Sequence, residues 1–197
     1  MLITASRLIG TNILSIQSSG PIGYISAPIV DPDSLKIIAF RLSGPLISRD
    51  EDILDAKSIR EYSKFGCVIN SSDDLIGPAD VIQIEKVLKL NFSLIDLKVE
   101  TKKGTKLGKI IDYTVTDDNF TVQQIIVKRP LVKSFVSPEL TIPRSEIVEI
   151  TDYKVVVRDE EKTIRARAEK EDFIPNFVNP FRKSELSPSP AKTDDES

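Results

Sequence analysis

The chain has 197 residues, 29% of them charged, with a net charge of −3, one cysteine and no histidine. Without histidine it lacks the commonest general base at neutral pH and the commonest metal ligand, and a single cysteine allows no internal disulfide. No apolar run approaches the roughly eighteen residues that a membrane-spanning helix needs, and no signal-peptide pattern opens the chain, so a cytoplasmic protein without membrane insertion is expected.

In chain order, the first apolar signals are Leu8-Ile9, Gly23-Tyr24-Ile25 and the run Ile37-Ile38-Ala39-Phe40-Arg41-Leu42. Short β-branched runs bounded by Gly, Pro, Asp and Asn read as strands. Ser18-Ser19-Gly20-Pro21 and Asp31-Pro32-Asp33-Ser34 supply the turns, because Gly and Asx residues tolerate the positive φ of tight hairpins. Next comes the carboxylate run Asp50-Glu51-Asp52 with Asp55. Its spacing fits no calcium loop, and it reads as a solvated segment. Ser58-Ile59 suits a single helical or 3₁₀ turn with serine as cap. Phe65-Gly66-Cys67-Val68-Ile69 then forms a strand in which Cys67 is read as a small core hydrophobe, since no base stands ready to activate it. Asp80 to Leu88 fits a short helix, while Val81-Ile82-Gln83-Ile84 fits a strand equally well, and both readings stay open.

From Leu94 the pattern starts again. Leu94-Ile95, Gly108-Lys109-Ile110, Arg129-Pro130-Leu131-Val132 and Tyr153-Lys154-Val155-Val156-Val157 follow their first-half counterparts by about 85–88 residues, and self-similarity at one offset marks a duplication. The turns repeat as Lys102-Lys103-Gly104-Thr105 and Thr116-Asp117-Asp118-Asn119, and Ser145-Glu146-Ile147 repeats the capped turn. Gly23 and Gly108 lie inside strand patterns, where glycine marks a bulge, a bend or a close backbone approach; they are assigned as structural turn residues. Beyond Asp159 come helix formers with little apolar face, then three phenylalanines, Phe173, Phe177 and Phe181, and from Ser184 a tail too polar to offset its ordering entropy. The expected division is a first domain over 1–78, a linker over 79–85, a second domain over 86–160, an aromatic C-terminal extension over 161–183 and a disordered tail over 184–197.

The second unit resembles a PRC-barrel domain through Ser93-Leu94-Ile95-Asp96-Leu97-Lys98-Val99, Gly104, Lys106 to Tyr113, Ile125-Ile126-Val127, Ile142-Pro143 and Ile147. The first unit is similar through Leu8-Ile9-Gly10, Ile22-Gly23-Tyr24-Ile25 and Ile37 to Leu42. The resemblance implies a mainly β chain of two tandem, strongly bent β-barrels that act as docking modules, as in the cytoplasmic part of the photosynthetic reaction-centre H subunit and the C-terminal half of a bacterial ribosome-maturation factor.

No nucleophile and base pair, metal constellation or phosphate loop stands out. The chain is therefore expected not to be an enzyme and to need no cofactor or metal. Two groups remain as candidate contacts. Phe173, Phe177 and Phe181 would serve a partner or the chain's own barrels, and Lys102, Lys103 and Lys106, with Lys98 and Lys109 on the same hairpin, would contact an anion or RNA. A non-catalytic protein-binding adaptor is the expected function, with an RNA- or ribosome-associated assembly factor as the alternative; the oligomeric state stays open.

Overall fold

The structure is a computed structural model that describes residues 1–48, 52–130 and 138–159; the expected C-terminal extension and tail lie outside these. Strand β1 (Leu2–Thr4) runs into a single helical turn, α1 (Ala5–Leu8), and then into β2 (Asn12–Ser15), β3 (Gly20–Asp31), β4 (Lys36–Ser43) and β5 (Ile53–Asp55). A 3₁₀ turn at Ala56–Ser58 leads to β6 (Glu61–Ser63), β7 (Gly66–Ile69) and β8 (Leu75–Ile76), and helix α2 (Ile82–Leu90) follows. The second half contains β9 (Lys98–Thr101), β10 (Lys106–Thr116), β11 (Val122–Lys128), β12 (Glu139–Pro143), a 3₁₀ turn at Arg144–Glu146, β13 (Ile147–Ile150) and β14 (Lys154–Val157).

These strands make two seven-stranded sheets with one plan. The first runs β6-β7-β2-β3-β4-β5-β8 and the second β12-β11-β10-β9-β14-β13, with β1 added beside β10. Read from opposite ends, six strands correspond one for one, including a parallel pair in each sheet: Ile13 stands beside Cys67 as Val99 stands beside Val155. The chain is mainly β and its sheet curls into a half-barrel. Among the described residues no ladder joins the end strands of either sheet.

Residues 1–159 form one compact unit, because the halves share a core. Ile25, Phe40, Leu54 and Cys67 from the first sheet lie in the same buried cluster as Val99, Ile110, Ile125 and Val155 from the second. At the hairpin tips the Ile37 amide donates to the Phe120 carbonyl at 3.0 Å and the Val122 amide donates to the Leu35 carbonyl at 2.9 Å. The rings of Phe40 and Phe120 meet edge to face, 5.1 Å apart, and β1 crosses from the first half to pair with β10.

Segment 79–85, expected as a linker, contains the first four residues of α2, so the helical reading of Asp80 to Leu88 holds and the strand reading does not. The helix ends where Asn91 takes a left-handed conformation at φ 47°, a conformation asparagine tolerates. Its Ile84 and Val87 bury against Ile29, Ala39 and Ile53 on the face of the first sheet turned away from the shared core. The pattern of Ile82, Ile84 and Val87 is β-branched and suits either element locally; the apolar outer face of the sheet decides for the helix.

Gly23 and Gly108 occupy equivalent places, opposite Ile13 and Val99. At each, the neighbouring strand comes too close for a side chain. A Cβ on Gly23 would stand 2.8 Å from the Ser43 carbonyl and 2.7 Å from Ile47, and one on Gly108 would overlap the Lys128 carbonyl. Gly108 also has φ +147°, whereas Gly104, at φ +80° in the β9–β10 turn, has open space around it. Gly108→Ala should therefore cost on the order of 3 kcal/mol, through overlap and backbone strain together, and Gly104→Ala about 1 kcal/mol from conformation alone. Chemical denaturation of the two variants tests that order, and equal losses would remove the close-approach role.

Candidate anion-binding face

In β9, Val99 is buried in the shared core, so Lys98 and Glu100 point to the opposite face. The sheet register then sets a line of like residues side by side. Lys128 of β11 is opposite Lys109 of β10, Lys109 is opposite Lys98 of β9, and Lys98 is beside Lys154 of β14. Four lysines thus occupy one row across four adjacent strands. Strands are spaced by about 4.8 Å, so the row spans roughly 14 Å.

The row lies in an open cleft of about 830 Å³ that also takes in Lys106, Arg129, Asp96, Glu100 and Tyr153. Six cationic side chains therefore face two carboxylates. Glu100 forms an ion pair with Lys154, and that hydrogen bond raises the Lys154 pKa, which keeps the ammonium charged. Lys98, Lys109 and Lys128 have no ion-pair partner among the described residues. Like charges directly opposite in a sheet destabilise it; Glu139 stands opposite Lys128 at one end of the row and Glu100 pairs with Lys154 at the other, so the repulsion falls on its middle, at Lys109 and Lys98.

The first sheet provides an internal control. The same register row there reads Ser43, Tyr24, Asn12 and Gly66, and no position carries a charge. The architecture evidently forms without the lysines. The two outer faces differ elsewhere too: Ile29, Ala39 and Ile53, which α2 covers, correspond to Thr114, Gln124 and Thr141.

Of the lysines singled out in the sequence, Lys106 lines the cleft together with Lys98 and Lys109. Lys102 and Lys103 do not line it; they sit at the hairpin turn, where the Lys102 amide donates to the Val157 carbonyl and the Lys103 amide to the Asp159 carboxylate. Lys128, Arg129, Tyr153 and Lys154 were not anticipated, because they arrive from strands far along the chain. The aligned repeats carry a signal for three of them: Lys128, Tyr153 and Lys154 correspond to Ser43, Phe65 and Gly66. Phe173, Phe177 and Phe181 lie outside the described residues.

Asp52 of the carboxylate run pairs with Arg41 at 2.6 Å, and Asp50 and Glu51 lie outside the described residues. Among the described residues no three His, Cys, Asp or Glu side chains gather as a metal site, and no helix is long and apolar enough to cross a membrane. Comparison of the chain with protein-family models and with curated proteins finds no match.

Cys67 is fully buried, and burial pushes its thiol from an ordinary 9.0 up to about 12. A thiol reagent at pH 8 should therefore modify the folded chain far more slowly than the chain in denaturant. Because the folded pKa is the higher one, stability is intact below about pH 9 and falls as pH rises toward 12. A pH series of melting temperatures, compared with Cys67→Ala, checks the sign: the loss between these limits should shrink in the variant.

Proposed function

We propose that the chain is a non-catalytic docking module, built of two PRC-like barrels in tandem, that holds an anionic macromolecule against the lysine row of its second sheet. The observation that carries this reading is the contrast between the two sheets. One strand plan occurs twice, and only one copy bears four aligned lysines. A row that costs stability and is dispensable for folding finds its reason in a ligand that neutralises it. The PRC-like reading is supported by the repeated Leu-Ile and glycine motifs and by the shared strand order, and a docking role suits a cleft whose chemistry is charge without a nucleophile and its base.

The chain carries a net charge of −3, so its whole-molecule field does not draw it to polyanions; the attraction has to be local. The full-length protein should accordingly be retained on immobilised heparin and released by salt. The triple variant Lys98→Gln, Lys109→Gln, Lys128→Gln should elute at clearly lower salt with an equal or higher melting temperature, because repulsion within the row is relieved. The pair Lys102→Gln, Lys103→Gln should shift elution much less. Failure of the wild-type chain to bind, or an equal shift for both variants, would overturn the assignment of the site.

A further inference from the structure

We infer that the ligand of the cleft is a single-stranded nucleic acid, its phosphodiester chain lying along Lys128, Lys109, Lys98 and Lys154 and one of its bases stacked on Tyr153. This rests on the reading that the cleft holds an anionic macromolecule.

Two observations narrow that ligand. The first is the length of the row. A phosphate oxygen is hydrogen-bonded by donors within about 3 Å, so one phosphate satisfies two neighbouring lysines, and a row of four across roughly 14 Å calls for at least two phosphates in line. The flexible four-carbon stem of lysine absorbs the difference between strand spacing and phosphate spacing. The second is Tyr153. The residue is 65% exposed, lines the same cleft and precedes Lys154, whose ammonium lies over its ring, 5.9 Å from the centroid. Adjacent residues thus offer a flat π face and a cation, the two elements with which single strands are held without sequence readout. A duplex keeps its base faces stacked inside and offers none to a tyrosine. An acidic protein surface would satisfy the lysines and leave the ring idle.

The first sheet again separates fold from function. Phe65 corresponds to Tyr153, is 69% exposed and has the Lys64 ammonium 5.0 Å from its ring centroid, but the row beside it, Asn12 and Gly66, carries no charge. The pairing of a ring with a neighbouring cation is thus common to both sheets, and the charged row is what the second adds.

The test uses the full-length chain and the anisotropy of a labelled oligouridylate, with oligothymidylate, duplex RNA, inorganic polyphosphate and polyglutamate as comparisons. Oligouridylate should bind more tightly than polyphosphate or polyglutamate of matched charge. Tyr153→Ala should weaken oligouridylate about tenfold and leave polyphosphate unchanged, while Tyr153→Phe keeps wild-type affinity and Phe65→Ala has no effect. The Lys98→Gln, Lys109→Gln, Lys128→Gln variant should flatten the log-affinity against log-salt slope by about 2. Preference for oligouridylate over oligothymidylate assigns RNA, and parity assigns single strands of either sugar. The inference is overturned if Tyr153→Ala weakens polyphosphate equally or leaves oligouridylate unchanged, or if duplex RNA or polyglutamate binds as well as oligouridylate. Each of those results leaves the polyanion reading standing, because that reading depends on the heparin shift of the lysine variants.

Discussion

Two main-chain hydrogen bonds between hairpin tips, Ile37 to Phe120 and Val122 to Leu35, are the contact on which the arrangement turns. They require Leu35 and Phe120 to adopt φ 52° at equivalent places, an unfavourable backbone for large side chains. Burial offsets that strain: Leu35 is 6% exposed and Phe120 3%. The exchange gives each tip the backbone partners of a sheet edge and brings the Phe120 ring onto Phe40. Neither half completes its tip by itself, which is why the duplicated halves form one compact unit with a common core.

Fixing the inner faces on each other leaves the outer faces free to diverge. On the first sheet the outer face is apolar at Ile29, Ala39 and Ile53 and carries α2. On the second the corresponding residues are Thr114, Gln124 and Thr141, and farther along the same strands stand Lys109 and Lys128, with Lys98 and Lys154 completing the row on β9 and β14. Duplication followed by divergence of one face separates what the fold needs from what a ligand needs. Buried positions keep their apolar character in both copies, as at Ile25 and Ile110 or Leu42 and Val127. The row positions keep their register and change their charge.

Exposed lysines on adjacent strands also protect a sheet against pairing with another chain when they stand on its edge. Here Lys98 and Lys109 belong to β9 and β10, which are interior strands with partners on both sides. Edge protection therefore does not explain the row. The ion pair of Glu100 with Lys154 sits at one end of it and Glu139 stands opposite Lys128 at the other, so the like charges meet in the middle, at Lys109 and Lys98.

The sequence by itself determined the β class, the duplication and its register, the place of the 3₁₀ turns at Ala56–Ser58 and Arg144–Glu146 and the special role of Gly23 and Gly108; the expected serine caps are absent, since Asp55 caps the first turn and no side chain caps the second. Each of these is written in local chemistry: period-two hydrophobicity, turn residues, and a repeat that needs no knowledge of contacts. The helix at Ile82–Leu90 stayed ambiguous because Val81-Ile82-Gln83-Ile84 suits two elements, and only the apolar outer face of the first sheet chooses between them. The lysine row was half visible. Lys98 and Lys109 share one hairpin, with Lys106 beside them in the cleft, and could be grouped from sequence, whereas Lys128 and Lys154 join them only through strand register, which inter-strand hydrogen bonds set. The same register excluded Lys102 and Lys103, which are near in sequence but placed on the turn. Local pattern tells which residues form strands; which strands become neighbours, and so which charges meet, is decided by burying both inner faces at once in the tertiary structure.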